Sequence, residues 1–136
     1  MAVQNKLAIQ NLLIYLHISI SKAKLAMQII HLFRHGEAAH NVEGINLQDP
    51  LLTTTGEKQA VSIIKNYVFL NNPTLVLISP LRRCIQTALY AFHPDFNEDA
   101  TKYFSHNPLI LAMPHLQETT ENPCDTGSPL EVLKNE

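Results

Sequence analysis

Three short stretches of this chain carry side chains that could act together on a phosphate ester. They are Arg34-His35-Gly36, Ser79 with Arg82 and Arg83, and His115 with Glu118. A guanidinium offers N–H donors in a fork that matches two phosphate oxygens. An imidazole can attack phosphorus, and a carboxylic acid can protonate the oxygen that leaves. A metal reading of the first stretch is weaker. His31 and His35 are four residues apart, the spacing of two ligands on a helix face, with Glu37 nearby. The apolar run before His35 and Gly36 after it argue for a strand and a turn, so no metal site is expected.

These stretches act together only if the elements before them bring them to one place. Residues 28–33 (QIIHLF) form a short apolar run that ends at the Gly36 turn, the pattern of a buried strand leading into a loop. Residues 42–52 have loop composition. Thr53 or Thr54 can then cap a helix over 56–68, with Glu57 three residues after Thr54 in capping-box spacing. Residues 75–78, between Pro73 and Pro80, predict a second buried strand. Residues 81–92 predict a helix with Leu81, Cys84, Ile85, Ala88, Leu89 and Phe92 on one side, stopped by His93-Pro94. Residues 109–113 predict a third strand, and from Glu118 onward the chain is polar and rich in turns. Strand and helix alternating in this order predict an α/β domain with a mainly parallel sheet and right-handed crossovers. The reactive stretches then fall at the carboxyl ends of the strands, where such sheets place ligands.

Composition narrows the class. The 136 residues are 46% hydrophobic and 16% charged, with ten Lys plus Arg against twelve Asp plus Glu. A net charge of −2 with scattered cations gives no electrostatic footprint for nucleic acid, and no nucleic-acid partner is expected. Cys84 and Cys124 sit in no zinc or disulfide spacing, which points to a reducing compartment and a cytoplasmic or nuclear location. The apolar stretch 7–20 is too short to span a bilayer and is broken by Gln10, Asn11 and His17, so no membrane partner is expected. No small-residue cleavage site follows it, against a secretory signal. It reads instead as an amphipathic helix or a poorly ordered extension, which puts 1–26 outside a domain of residues 27–136.

The blocks LFRHGEAAHN, DPLLTTTGEKQA, ISPLRRCIQTA and PHLQE, in that order, resemble the histidine phosphatase superfamily, the phosphoglycerate mutase-like proteins. The pair His40-Asn41 and the stretch PCDTGSP at 123–129 are most similar to the phosphomutase-like proteins of fungi and plants. The resemblance implies a three-layer α/β/α domain that transfers a phosphoryl group from a small phosphorylated substrate to a histidine and then hydrolyses it. His35 matches the nucleophile, Arg34 and Arg83 the phosphate-gripping arginines, Asn41 an asparagine that helps hold phosphate, and Glu118 the proton donor. Arg82 matches a variable position, and Ala38 stands where many members have Ser or Thr. No cofactor or metal is implied, because arginines and imidazoles supply the positive charge.

The family also has a second histidine downstream of the acid. The histidines here, at 17, 31, 35, 40, 93, 106 and 115, all precede Glu118. The resemblance is therefore to an amino-terminal part of the domain, with the carboxyl-terminal part missing. Two functional classes follow: an enzyme acting through His35, or an inactive fragment that binds phosphorylated ligands or a protein partner. For the other residues the expectation is structural. His31 is a core or sheet-edge residue, Cys84 is core and Arg82 is solvated or at the substrate rim, while His93, His106 and His115 lie on the surface or in loops, with His115 nearest the cleft.

Overall fold

A computed structural model describes residues 12–16, 29–66, 73–104 and 106–134. The strands are β1 (Leu12–Leu16), β2 (Ile30–Arg34), β3 (Leu75–Ile78) and β4 (Leu109–Ala112), in one sheet of order β2-β1-β3-β4. The helices are α1 (Ala39–Glu43), α2 (Thr54–Asn66), α3 (Arg82–Phe92), α4 (Ala100–Tyr103) and α5 (Leu130–Leu133), with 3₁₀ turns at Pro114–Leu116 and Pro123–Asp125. β3 and β4 pair in parallel, Leu75 opposite Leu109, while β1 runs antiparallel to both β2 and β3. Three of the four strands therefore run the same way, in the α/β, mainly parallel arrangement that the sequence predicts.

β1 corrects one expectation. Residues 12–16 are not outside the sheet but between β2 and β3, with Leu12 opposite Arg34 and Leu16 opposite both Ile30 and Leu75. A continuous apolar run such as LLIYL has no periodicity to separate helix from strand. Flanked on both sides, it finds ladder partners for its backbone groups, which no helix or loose extension of that length would. Residues 1–11 and 17–28, including the expected boundary at Met27, lie outside the described residues, as does Val68 at the expected end of α2.

Alternation along the strands sets the core. Phe33, Val76 and Ile78 are buried, with Ile110 half-buried beside them. They meet Ile63 and Ile64 of α2, Ala88, Ala91 and Phe92 of α3, and Ala100 at the start of α4. On the other face Ile30, Leu32, Leu109 and Leu111 are exposed. The described helices that join this core thus make one of the two layers that the resemblance implies.

The start of α2 is fixed by its cap. Thr53 Oγ1 accepts the Gly56 N–H at 3.1 Å, so Thr53 is the capping residue and Thr54 opens the helix. Glu57 accepts instead from the Tyr90 hydroxyl, at 3.2 Å. Gly56 itself is pressed against the chain that leaves β2. A Cβ built on it would lie 2.0 Å from the Glu37 carbonyl oxygen, and one built on Gly36 would lie 2.4 Å from the Gly56 carbonyl oxygen. Gly→Ala inside a helix ordinarily stabilises by about 1 kcal/mol. Here Gly56→Ala is expected to do the opposite, costing about 2 kcal/mol or more because backbone must move. Urea denaturation of the variant beside the wild type reads the sign directly.

Candidate active site

Where β2 ends, the chain turns against α2 and α3 and is held by both. Gly36 N–H donates to Thr87 Oγ1 at 3.1 Å, and the Thr87 hydroxyl donates to the Arg83 carbonyl at 2.7 Å. Glu37 N–H donates to Gln59 Oε1 at 2.8 Å, while Thr53 gives its N–H to the Glu37 carbonyl and its hydroxyl to Glu37 Oε1 at 2.7 Å. The Gly36–Gly56 approach closes this clamp. His35 is consequently set by tertiary contacts rather than left on a free loop.

His35 is buried, and its Nδ1 lies 2.5 Å from the Gly36 carbonyl oxygen. A carbonyl only accepts, so the proton is on Nδ1 and the lone pair on Nε2. Burial drives the imidazole pKa down to about 3, the Gly36 bond opposes this, and the charges of Arg83 and Arg34 lower it further. The ring is neutral across the physiological range. Arg34, at the end of β2, is exposed and lines an open cleft of about 550 Å³ with His35, Glu37, Asn41 and Gln59.

Arg83 stands behind that cleft. It is 0% exposed, in the first turn of α3, and its charge is felt at His35, His40 and Glu118. Nη1 donates to the Cys124 carbonyl and Nη2 to Asp125 Oδ1 at 2.9 Å. Asp125 also accepts from the Thr120 hydroxyl on Oδ2 and from Gln117 Nε2 on its carbonyl. The segment that carries Asp125 is strapped down through buried Asp49, which accepts the Arg82 N–H on one oxygen and the Ser128 N–H on the other. Glu118, half-buried after the 3₁₀ turn, keeps its proton above the usual carboxylate range. Burial is the first cause and nearby Asp125 the second, with Arg83 and Arg34 opposing.

The sequence-predicted residues thus divide. Arg34, His35 and Asn41 line the cleft, whereas Arg83 and Glu118 sit deeper, within electrostatic reach of it. Asn41 does local work: its Oδ1 accepts the Ala38 N–H at 2.9 Å and its Nδ2 lies 3.0 Å from His40 Nε2. His115 is exposed in its 3₁₀ turn and is not among the cleft residues. Cys84 is buried, and burial pushes its thiol up to about 11, so it behaves as core.

Four contributors escaped the sequence reading. Thr87 and Gln59 are helix residues whose spacing marks no reactive motif. Asp125 and His40 lie in PCDTGSP and His40-Asn41, stretches noted for resemblance alone. The His40 ring centroid is 5.7 Å from that of His35. Among the described residues, the buried side-chain polar atoms that have no hydrogen-bond partner are His40 Nδ1, Arg83 Nε and Glu118 Oε1. All three belong to this group.

Residues 30–95 match the histidine phosphatase superfamily (branch 1). That segment is just under half of the chain, and Arg34, His35, Asn41 and Arg83 lie within it. Among curated proteins it is similar to a probable phosphatase of Schizosaccharomyces pombe, 32% identical over 111 residues, which are 79% of this chain and 48% of that protein. It is also similar to a phosphoglycerate mutase-like protein of Arabidopsis thaliana, 36% identical over 96 residues, 61% of this chain and 34% of that protein. The chain spans about half the length of the first and a third of the second. No solved structure matches it.

Proposed function

We propose that the chain carries the phosphoryl-accepting site of a metal-independent phosphatase or phosphomutase acting on small phosphate monoesters. The observation that supports this most directly is a neutral imidazole whose Nε2 lone pair is held in the field of two guanidiniums. Nε2 attacks phosphorus, the ester P–O bond breaks, and the proton of Glu118 goes to the leaving oxygen. Water then attacks the phosphohistidine and gives a proton to the Glu118 carboxylate. The P–N bond breaks, its electron pair returns to Nε2, and inorganic phosphate leaves. Arg34 and Arg83 offset charge on the equatorial oxygens throughout.

Incubation with acetyl phosphate should yield acid-labile phosphate on His35, followed by release of inorganic phosphate. Absence of label from the folded wild-type chain would sink the reading. The role of Glu118 has its own signature. Glu118→Gln is expected to slow hydrolysis of alkyl phosphates by about 10²- to 10³-fold, yet to slow p-nitrophenyl phosphate far less, because p-nitrophenolate leaves without a proton. For alkyl phosphates kcat should fall as pH rises through the raised pKa of Glu118, and that limb should vanish in the variant. Equal losses on both substrates would assign the proton to another group.

A further inference from the structure

We propose that His40 is a second catalytic imidazole, donating its Nδ1–H to a non-bridging oxygen of the phosphoryl group as that group moves onto His35 Nε2. The inference rests on the reading that His35 accepts phosphate, and it names a residue for which neither the motif order nor the arginine pair accounts.

The tautomer follows from a neighbour. Asn41 Nδ2, 3.0 Å from His40 Nε2, carries only hydrogens, so Nε2 is the acceptor. The ring proton of neutral His40 is then on Nδ1. That atom is buried and has no hydrogen-bond partner among the described residues. A buried N–H without an acceptor is an unfavourable state that a native structure rarely keeps without a use. The donor belongs to a ring whose centroid is 5.7 Å from that of His35, tilted by 53°. Arg83 and Arg34 act on the same ring, so a phosphoryl oxygen in their field is the acceptor that the surroundings favour. Burial and the two guanidiniums also lower the pKa of His40, with Asp125 opposing, which keeps the ring a neutral donor.

α1 places the ring. The Asn41 carboxamide closes the turn on the Ala38 N–H while holding His40 Nε2, so one side chain sets both the helix start and the imidazole. The side-chain amide nitrogen of asparagine is as many bonds from Cα as histidine Nδ1, whereas that of glutamine matches Nε2. Three variants therefore separate the donor from the ring: His40→Asn keeps a donor at the Nδ1 position, His40→Gln moves it, and His40→Leu removes it.

The readout is the rate of His35 labelling by acetyl phosphate, together with the affinity for orthovanadate. Each variant is first checked for the wild-type urea midpoint. His40→Leu and His40→Gln are expected to lose about 10²-fold or more in rate, the usual effect of removing one preorganised donor, while His40→Asn loses measurably less than either. Wild-type rate and vanadate affinity in His40→Leu would overturn the proposal. So would equal losses in His40→Asn and His40→Gln, since the ring would then act otherwise than through an Nδ1 donor. If the wild-type chain takes no label on His35, the parent reading fails and this one with it. Loss of vanadate affinity in His40→Leu beside retained labelling would mean that the ring serves anion binding alone, which also overturns a catalytic role.

Discussion

Replacing His35 with alanine is expected to end phosphoryl acceptance, a fall of about 10⁴-fold or more in labelling by a small phosphodonor, because the proposed nucleophile is removed. The expected pH dependence is less ordinary. An exposed histidine loses nucleophilicity below its usual pKa near 6.5, but burial holds His35 at about 3. Labelling of the wild type should therefore show no inflection near 6.5 that depends on His35, since the ring stays neutral down to about pH 4. A rate that halves near pH 6.5 and tracks His35 would contradict the buried, neutral ring. The same shift predicts a stability effect. Below pH 6.5 the unfolded chain binds a proton at this residue that the folded chain refuses until about pH 3. The contribution of His35 is therefore fully present above 6.5 and is lost as pH falls, at up to about 1.4 kcal/mol per pH unit, or about 2 kcal/mol by pH 5. His35→Leu should flatten that part of the urea-midpoint profile.

The second large effect is expected at Arg83. Its side chain is 0% exposed and that of its partner Asp125 is 10% exposed, at 2.9 Å. Cutting either residue leaves a charge in the interior without its counterpart. Arg83→Met and Asp125→Leu should each cost about 3–5 kcal/mol of stability. The double variant should recover most of that loss, since no lone charge remains, yet should not recover vanadate binding, to which the proposed function assigns the guanidinium. Arg82→Ala, one residue earlier and only half-buried, should stay within about 0.5 kcal/mol. Chemical denaturation and vanadate titration of the four proteins test both halves. Additive losses in the double variant would show that the two side chains do not act as a pair.

Much of the site was legible because it is local. A strand that ends in Arg34-His35-Gly36 carries its own turn signal, and His35 needs no distant residue to be found. Residues 75–78 appear as β3 with the expected bounds, since prolines close to both ends leave the apolar run no other length. The helix after it also survives, as Arg82–Phe92, with Leu81, Cys84, Ala88 and Phe92 buried as its periodicity predicts. The same helix shows where periodicity stops informing. Arg83 and Thr87 are equally buried there, although a polar pair four residues apart is the pattern of a solvated face.

The sequence by itself determined the run lengths, the turn residues and the order of the reactive groups, because each depends on neighbours in the chain. Only the tertiary structure decided that Arg83 is neutralised by Asp125, that Thr87 and Gln59 hold the turn carrying His35, and that His40 faces His35. It also decided that residues 12–16 enter the sheet between β2 and β3. The physical reason is common to all four. Pairing a buried charge, satisfying an N–H at a strand end, setting two rings side by side and filling a place in a ladder each depend on groups brought together by folding. Apart from the two rings, the partners are far apart in the chain. No propensity or spacing encodes the cost of leaving those groups unpaired, so the partner is chosen only when the elements meet.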